Sequence, residues 1–108
     1  MRFMVMAISP NADAAATMME YNKSLQKAGI LLALDELFPP ATGARVSYMD
    51  GKPSVTDGPF GQPKEAIGRY WIIQVRSREE AIEWAKRAPM SDNEVIEVRQ
   101  IHERQLIQ

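Results

Sequence analysis

The sequence contains no cysteine. That absence excludes disulfide frameworks, thiolate nucleophiles and thiolate metal sites, and it leaves the redox compartment unreadable. Histidine occurs once, at His102. Without a second histidine or a tight acidic cluster, no metal site is expected. Charge of one sign is also lacking, since 13 Lys and Arg stand against 14 Asp and Glu for a formal net charge of −1. No basic cluster breaks that balance, so the electrostatic footprint of a nucleic-acid binder is missing. No stretch approaches the roughly 20 apolar residues of a transmembrane helix. The apolar opening MRFMVMAIS gives way at once to Pro10, Asn11 and Asp13, where a signal peptide would need a longer apolar run and a small-residue cleavage site. Neither a G-x-G-x-x-G loop, a Gly-Lys-Ser/Thr ending nor a G-x-S-x-G elbow is present. The expectation is a cytoplasmic protein without cofactor, with neither nucleic acid nor membrane among its partners.

What remains is the composition of an ordinary globular domain. The chain has 108 residues, 45% hydrophobic and 25% charged. A globule of that size buries roughly two-thirds of its unfolded surface, enough for one core and one domain over residues 1–108. Phe3 to Ile8 is a β-rich run that ends in the turn chemistry of Ser9-Pro10-Asn11. From Ala14 to Ala28 the apolar residues Ala14, Met18, Tyr21, Leu25 and Ala28 recur at helical steps, and Gly29 supplies a C-terminal stop. Between Ile30 and Gly43 the pattern is irregular and Pro39-Pro40 interrupts it, so this stretch reads as a structured loop. Ala44 to Met49 and Pro53 to Thr56 flank Asp50-Gly51, a pair suited to a type I′ hairpin turn. Arg69 to Val75, rich in aromatic and β-branched residues, reads as a central strand. Ser77-Arg78-Glu79-Glu80 forms a capping box before a second helix that presents Ala81, Ile82, Trp84, Ala85 and Ala88 and closes at Pro89. Val95 to Ile101 is the last strand.

This order predicts an α+β fold, the ferredoxin-like split βαβ with an extra hairpin strand, in which both helices cover one sheet face. Alternation in the central strand puts Arg69, Trp71, Ile73 and Val75 on one side and Tyr70, Ile72 and Gln74 on the other. Both sides therefore carry large apolar groups, and two helices cover only one. A naked apolar sheet face is a patch that monomers rarely expose. A second copy packed sheet to sheet, enclosing a barrel-like cavity, is the expected remedy.

The run Val55-Thr56-Asp57-Gly58-Pro59-Phe60, with Lys64-Glu65, Ile67-Gly68 and Tyr70-Trp71, closely resembles the hallmark of the DGPF-domain proteins, a branch of the YCII-related group. The resemblance extends to Ala28-Gly29 with Leu31-Leu32, Gly43-Ala44-Arg45-Val46, Glu80-Ala81 with Glu83-Trp84-Ala85, and Glu97-Val98-Arg99. It implies a ferredoxin-like homodimer forming an α/β barrel, with a small-molecule ligand and acid–base, isomerase-like chemistry. The alternative it implies is a non-catalytic regulatory module associated with sigma factors. The sequence also departs from that pattern. The wider group places the His of a His–Asp acid–base pair on the first helix, which here contains none. Leu34-Asp35 stands where DGPF relatives often have Gly-Glu, and Gln100 where they commonly have Pro.

Asp57 is the candidate catalytic residue. Asx-turn chemistry around Gly58 and Pro59 accounts for it structurally, and a rigid loop beside a dimer cavity would equally hold an acid–base carboxylate. Arg45, Arg99, Tyr70 and Phe60 are the candidate ligand-binding residues. A strand arginine facing a cavity clamps an anion through its planar fork, while the alternative for Arg45, Arg69 and Arg99 is an ion pair with Asp57, Glu97 or Glu36. Met4, Met6, Met18, Met19 and Met49 are suited either to an adaptable apolar cavity or to filling the core. Trp71 and Trp84 are expected as core anchors.

Overall fold

A computed structural model describes residues 1–8, 15–59 and 66–103. Its elements in chain order are β1 (Arg2–Ile8), α1 (Ala15–Lys27), β2 (Leu31–Glu36), a 3-10 turn at Pro40–Thr42, β3 (Ala44–Met49), β4 (Lys52–Asp57), β5 (Ile67–Gln74), α2 (Arg78–Lys86) and β6 (Val95–Gln100). Four strands form one antiparallel sheet in the order β2-β5-β1-β6, and β3 and β4 pair separately. Leaving the separate hairpin out, the order is the ferredoxin-like arrangement, and the fold class matches the reading of the sequence.

One assignment needs correction. The stretch read as a structured loop contains β2, and this strand, not the hairpin, pairs with β5. Its sequence, LLALDE, consists mostly of helix formers with little β propensity. The alternation is also broken, because the register with β5 shifts between Leu31 and Ala33. A strand of such composition is held by its neighbours, with Leu31 and Leu34 packed against the core. The hairpin is therefore a complete additional two-stranded unit outside the main sheet. Its turn is as expected, with φ of 54° at Asp50 and 76° at Gly51 and Met49 opposite Lys52.

The core lies between the helices and one sheet face. Met18, Tyr21 and Leu25 of α1 and Ala81 and Ala85 of α2 are buried against Phe3, Val5, Ala7, Trp71, Ile73 and Val75. Trp71 is the anchor at 1% exposure, its indole donating to Asn22 Oδ1 at 2.7 Å and its ring meeting the edge of Tyr21 at 5.3 Å. Trp84 is only half-buried, with the Arg87 guanidinium 4.4 Å from its ring centroid. The Tyr21 hydroxyl donates to the Trp84 carbonyl at 2.8 Å and so ties the two helices together.

Local signals set the helix ends. Gly29, at φ 73°, donates to Gln26 O while Ile30 donates to Leu25 O, the paired bonds of a Schellman stop. Ser77 Oγ accepts from the Glu80 amide at 3.1 Å. The Glu80 carboxylate accepts from the Arg76 amide, one residue before the position a strict capping box would use. The expected start of α1 around Ser9 to Ala14 lies outside the described residues. Arg2 joins Glu103 through its backbone and side chain, closing the β1 start against the chain beyond β6. That hydrogen bonding holds the Glu103 carboxyl below its ordinary value.

Two predictions follow from these contacts. Gly29→Ala forces a left-handed alanine into open space, so strain alone should cost about 1 kcal/mol in denaturant unfolding. Burial, only partly opposed by Arg87, pushes the Tyr21 phenol from 10.0 up to about 12. The folded state thus holds this proton more tightly than the unfolded chain does, and the contribution is complete below pH 10 and lost as pH rises through about 12. Tyr21→Phe should cost roughly 1 kcal/mol at neutral pH. It should also flatten the alkaline fall in melting temperature, which calorimetry across that range would show.

Candidate functional site

The sheet face opposite the helices carries side chains that lie outside the helix-side core cluster. Strand register arranges its side chains in two rows. Asp35, Tyr70, Met6 and Glu97 form one, and Ala33, Ile72, Met4 and Arg99 the other. The first row ends in Asp35 and Glu97, and the second is apolar from Ala33 through Ile72 and Met4 to Arg99. Met6 is 7% exposed, yet it stands outside the helix-side core cluster, as its place in these rows requires.

At one edge, Tyr70 and Asp35 are directly opposed across β5 and β2, and the phenol donates to Asp35 Oδ2 at 2.6 Å. That bond holds the phenol proton and raises the Tyr70 pKa, with further contributions from desolvation and the Asp35 charge. At the other edge, Arg99 pairs loosely with Glu97 of the same strand at 4.0 Å, and its side chain is 74% exposed. Tyr70 and Arg99 are separated by β1, two strand spacings or roughly 10 Å. The face therefore offers a phenol–carboxylate pair that stores a proton, an apolar strip, and a guanidinium fork.

Arg69 shows the other fate of a strand arginine. It points to the helix side at 7% exposure, and its Nη1 lies 3.3 Å from Glu36 Oε1, directly across in β2. This is one of the ion pairs expected from the sequence, and Arg99 with Glu97 is another.

The remaining candidates lie elsewhere. Asp57 ends β4 and is exposed. Its partner is Ala44, whereas Arg45 faces Thr56, so Asp57 and Arg45 occupy opposite faces of the hairpin. Neither joins Tyr70 and Arg99 within one chain. The chain leaves β4 through a cis Gly58–Pro59 peptide, and the Gly58 amide donates to Gly43 O at 2.9 Å. Among the described residues, positive φ at glycine falls at Gly29 and Gly51. Phe60, Lys64 and Glu65 lie outside the described residues. His102 is exposed beyond β6. Of the methionines, Met18 fills the core, Met4 and Met6 lie on the open face, and Met19 and Met49 are exposed.

Asp35 is the site residue the sequence reading missed. Its signal was present, since once Leu31 to Glu36 is a strand, alternation sends Asp35 and Glu36 to opposite faces. A second concavity, an open groove of about 500 Å³, runs between α2 and β6. Ile82, Ala85, Val95, Ile96 and Val98 line it together with Arg78, Lys86 and Glu97.

No helix among the described residues is long and apolar enough to cross a membrane. With a ferredoxin-like α+β fold and an open sheet face established, comparison with known proteins assigns the lineage. The YCII-related domain matches residues 1–105, and the chain belongs to that family. No curated protein matches it.

The Tyr70–Asp35 bond generates a prediction. Asp35→Asn removes both the charge and the strong acceptor, so the Tyr70 phenol should titrate at lower pH than in the parent chain. Ultraviolet titration against a Tyr70→Phe control would assign the shift, and an unmoved Tyr70 transition would contradict the coupling.

Proposed function

We propose that this chain is a small-molecule-binding protein that works as a homodimer, its site being the open sheet face closed by the same face of a second copy. One observation carries the reading: the sheet face opposite the helices presents the half-buried Met4, Ala33 and Ile72 beside the buried Met6, outside the helix-side core and flanked by Asp35 at one edge and Glu97 and Arg99 at the other. Two such faces at the usual sheet separation of about 10 Å enclose a space with an apolar middle. The ligand that suits it is apolar with a weakly acidic group. The acid meets the Arg99 fork, and the apolar body lies over the methionines.

The reaction class that fits is proton transfer. Tyr70, hydrogen-bonded to Asp35, is a proton donor when the phenol is neutral, and the phenolate left behind takes its proton back from solvent. Asp57, exposed at the base of the hairpin, enters as a further acid–base carboxylate brought to the cavity mouth by dimerisation. The regulatory alternative, a module associated with sigma factors, rests on resemblance alone.

Native mass spectrometry of freshly purified protein tests this directly. The expected spectrum is a dimer carrying a small stoichiometric adduct released by gentle denaturation. A monomer, or a dimer that stays empty when offered small apolar carboxylates, would sink the proposal. Arg99→Gln should weaken retention of an acidic adduct by about tenfold to a hundredfold, because a charge-assisted hydrogen bond contributes roughly 1.5–3 kcal/mol. Asp57→Asn should leave retention unchanged while lowering any turnover.

A further inference from the structure

We infer that the β3–β4 hairpin is an arm that grips a second copy of the chain, laying its apolar face into the groove between α2 and β6 of that copy. The inference rests on the homodimer proposed above and extends it to a surface the sheet-to-sheet contact does not use.

The hairpin is one-sided. Register places Ala44, Val46, Tyr48, Pro53, Val55 and Asp57 on one face, and Arg45, Ser47, Met49, Lys52, Ser54 and Thr56 on the other. The first face is thus apolar except at its base. Every residue from Ala44 to Asp57 is nevertheless exposed, with Val46 at 56%, Tyr48 at 73% and Val55 at 66%. A lone two-stranded hairpin is marginal in water, and stability comes when one face is covered. Nothing described in the same chain covers it. The radius of gyration records the same projection: 15.9 Å, against about 13 Å for a compact chain of this length.

The α2–β6 groove is the complementary feature. Ile82, Ala85, Val95, Ile96 and Val98 give it an apolar part beside the charged Arg78, Lys86 and Glu97, and it lies at the edge strand β6. Strand order brings arm and groove together. The hairpin departs from the β2 edge, and β6 is the opposite edge of the sheet. Stacking two sheets about an axis parallel to the strands sets β2 of one copy over β6 of the other. A six-residue strand pair spans roughly 20 Å and the sheets stand about 10 Å apart, so the arm reaches past β6 to α2.

Area argues for the same occupant. A four-stranded sheet with strands of up to eight residues has a footprint of about 500 Å². A stable interface buries roughly 800 Å² on each partner. Two symmetric arms contribute in the direction of that shortfall. They also hold Asp57, at the base of the same hairpin face, at the seam between the copies.

The absence of cysteine makes the test clean. Tyr48→Cys and Lys86→Cys are introduced in separate chains, both at exposed positions. The two proteins are mixed, allowed to exchange subunits, and treated with a short bismaleimide. The expected product is a species at the mass of two chains, containing one of each variant, that neither protein forms to the same yield alone. In parallel, Val46→Ser with Tyr48→Ser should raise the dimer dissociation constant by about tenfold or more. Ser54→Ala, on the opposite hairpin face, should leave it unchanged. A dimer in native mass spectrometry that gives no Tyr48→Cys to Lys86→Cys link overturns the arm and leaves the sheet-face dimer standing. A monomer overturns both.

Discussion

A β-strand sends its side chains to two sides, and this chain has helices for one of them. Most of the molecule follows from that shortage. Trp71, Ile73, Phe3 and Val5 occupy the helix side, where α1 and α2 bury them. The intervening positions, Tyr70 and Ile72 of β5 and Met4 and Met6 of β1, belong to the opposite side, outside the helix-side core. Removing the apolar groups from the second side would give a conventional two-layer domain. Keeping them gives the sheet a second side with an apolar middle, and the candidate site is built on that side.

The two tyrosines in the sheet-and-helix layers illustrate how environment divides roles. Tyr21 is buried and donates to a carbonyl, so its hydroxyl is a fixed strut between the helices. Tyr70 donates to a carboxylate at one edge of the opposite face, a bond that holds the proton on the phenol. The arginines divide the same way. Arg69, aimed at the core, is neutralised by Glu36, while Arg99 extends toward solvent and keeps most of its donors outward. In both pairs the difference is set by which side of the sheet the group faces, not by residue type.

Much of this was legible in the sequence. Capping by Ser77, the stop at Gly29, the Asp50-Gly51 turn and the two-sidedness of β5 rest on local chemistry that a single segment carries. The strand β2 was not legible, because Leu, Ala and Glu favour helix and the register shift near Leu32 breaks the alternation that marks a strand. Missing it had a consequence for the site, since Asp35 has a place opposite Tyr70 only if it stands on a strand. The positions of Arg45 and Asp57 were hidden for a different reason. Their strands were correctly located, but whether a hairpin joins the main sheet or stands apart is decided by long-range pairing that no local pattern reports.

The way the hairpin leaves the sheet has one further meaning. The Leu37 amide donates to the Gly68 carbonyl at 2.8 Å, so β2 and β5 are already stitched together where the chain departs and where it returns. The excursion between them begins and ends at neighbouring points of a finished sheet. Its length and sequence can change without disturbing a single pairing of the four-stranded layer, because loop closure costs grow only slowly with length. Such a junction separates a framework constrained by packing from an appendage whose length the framework leaves free.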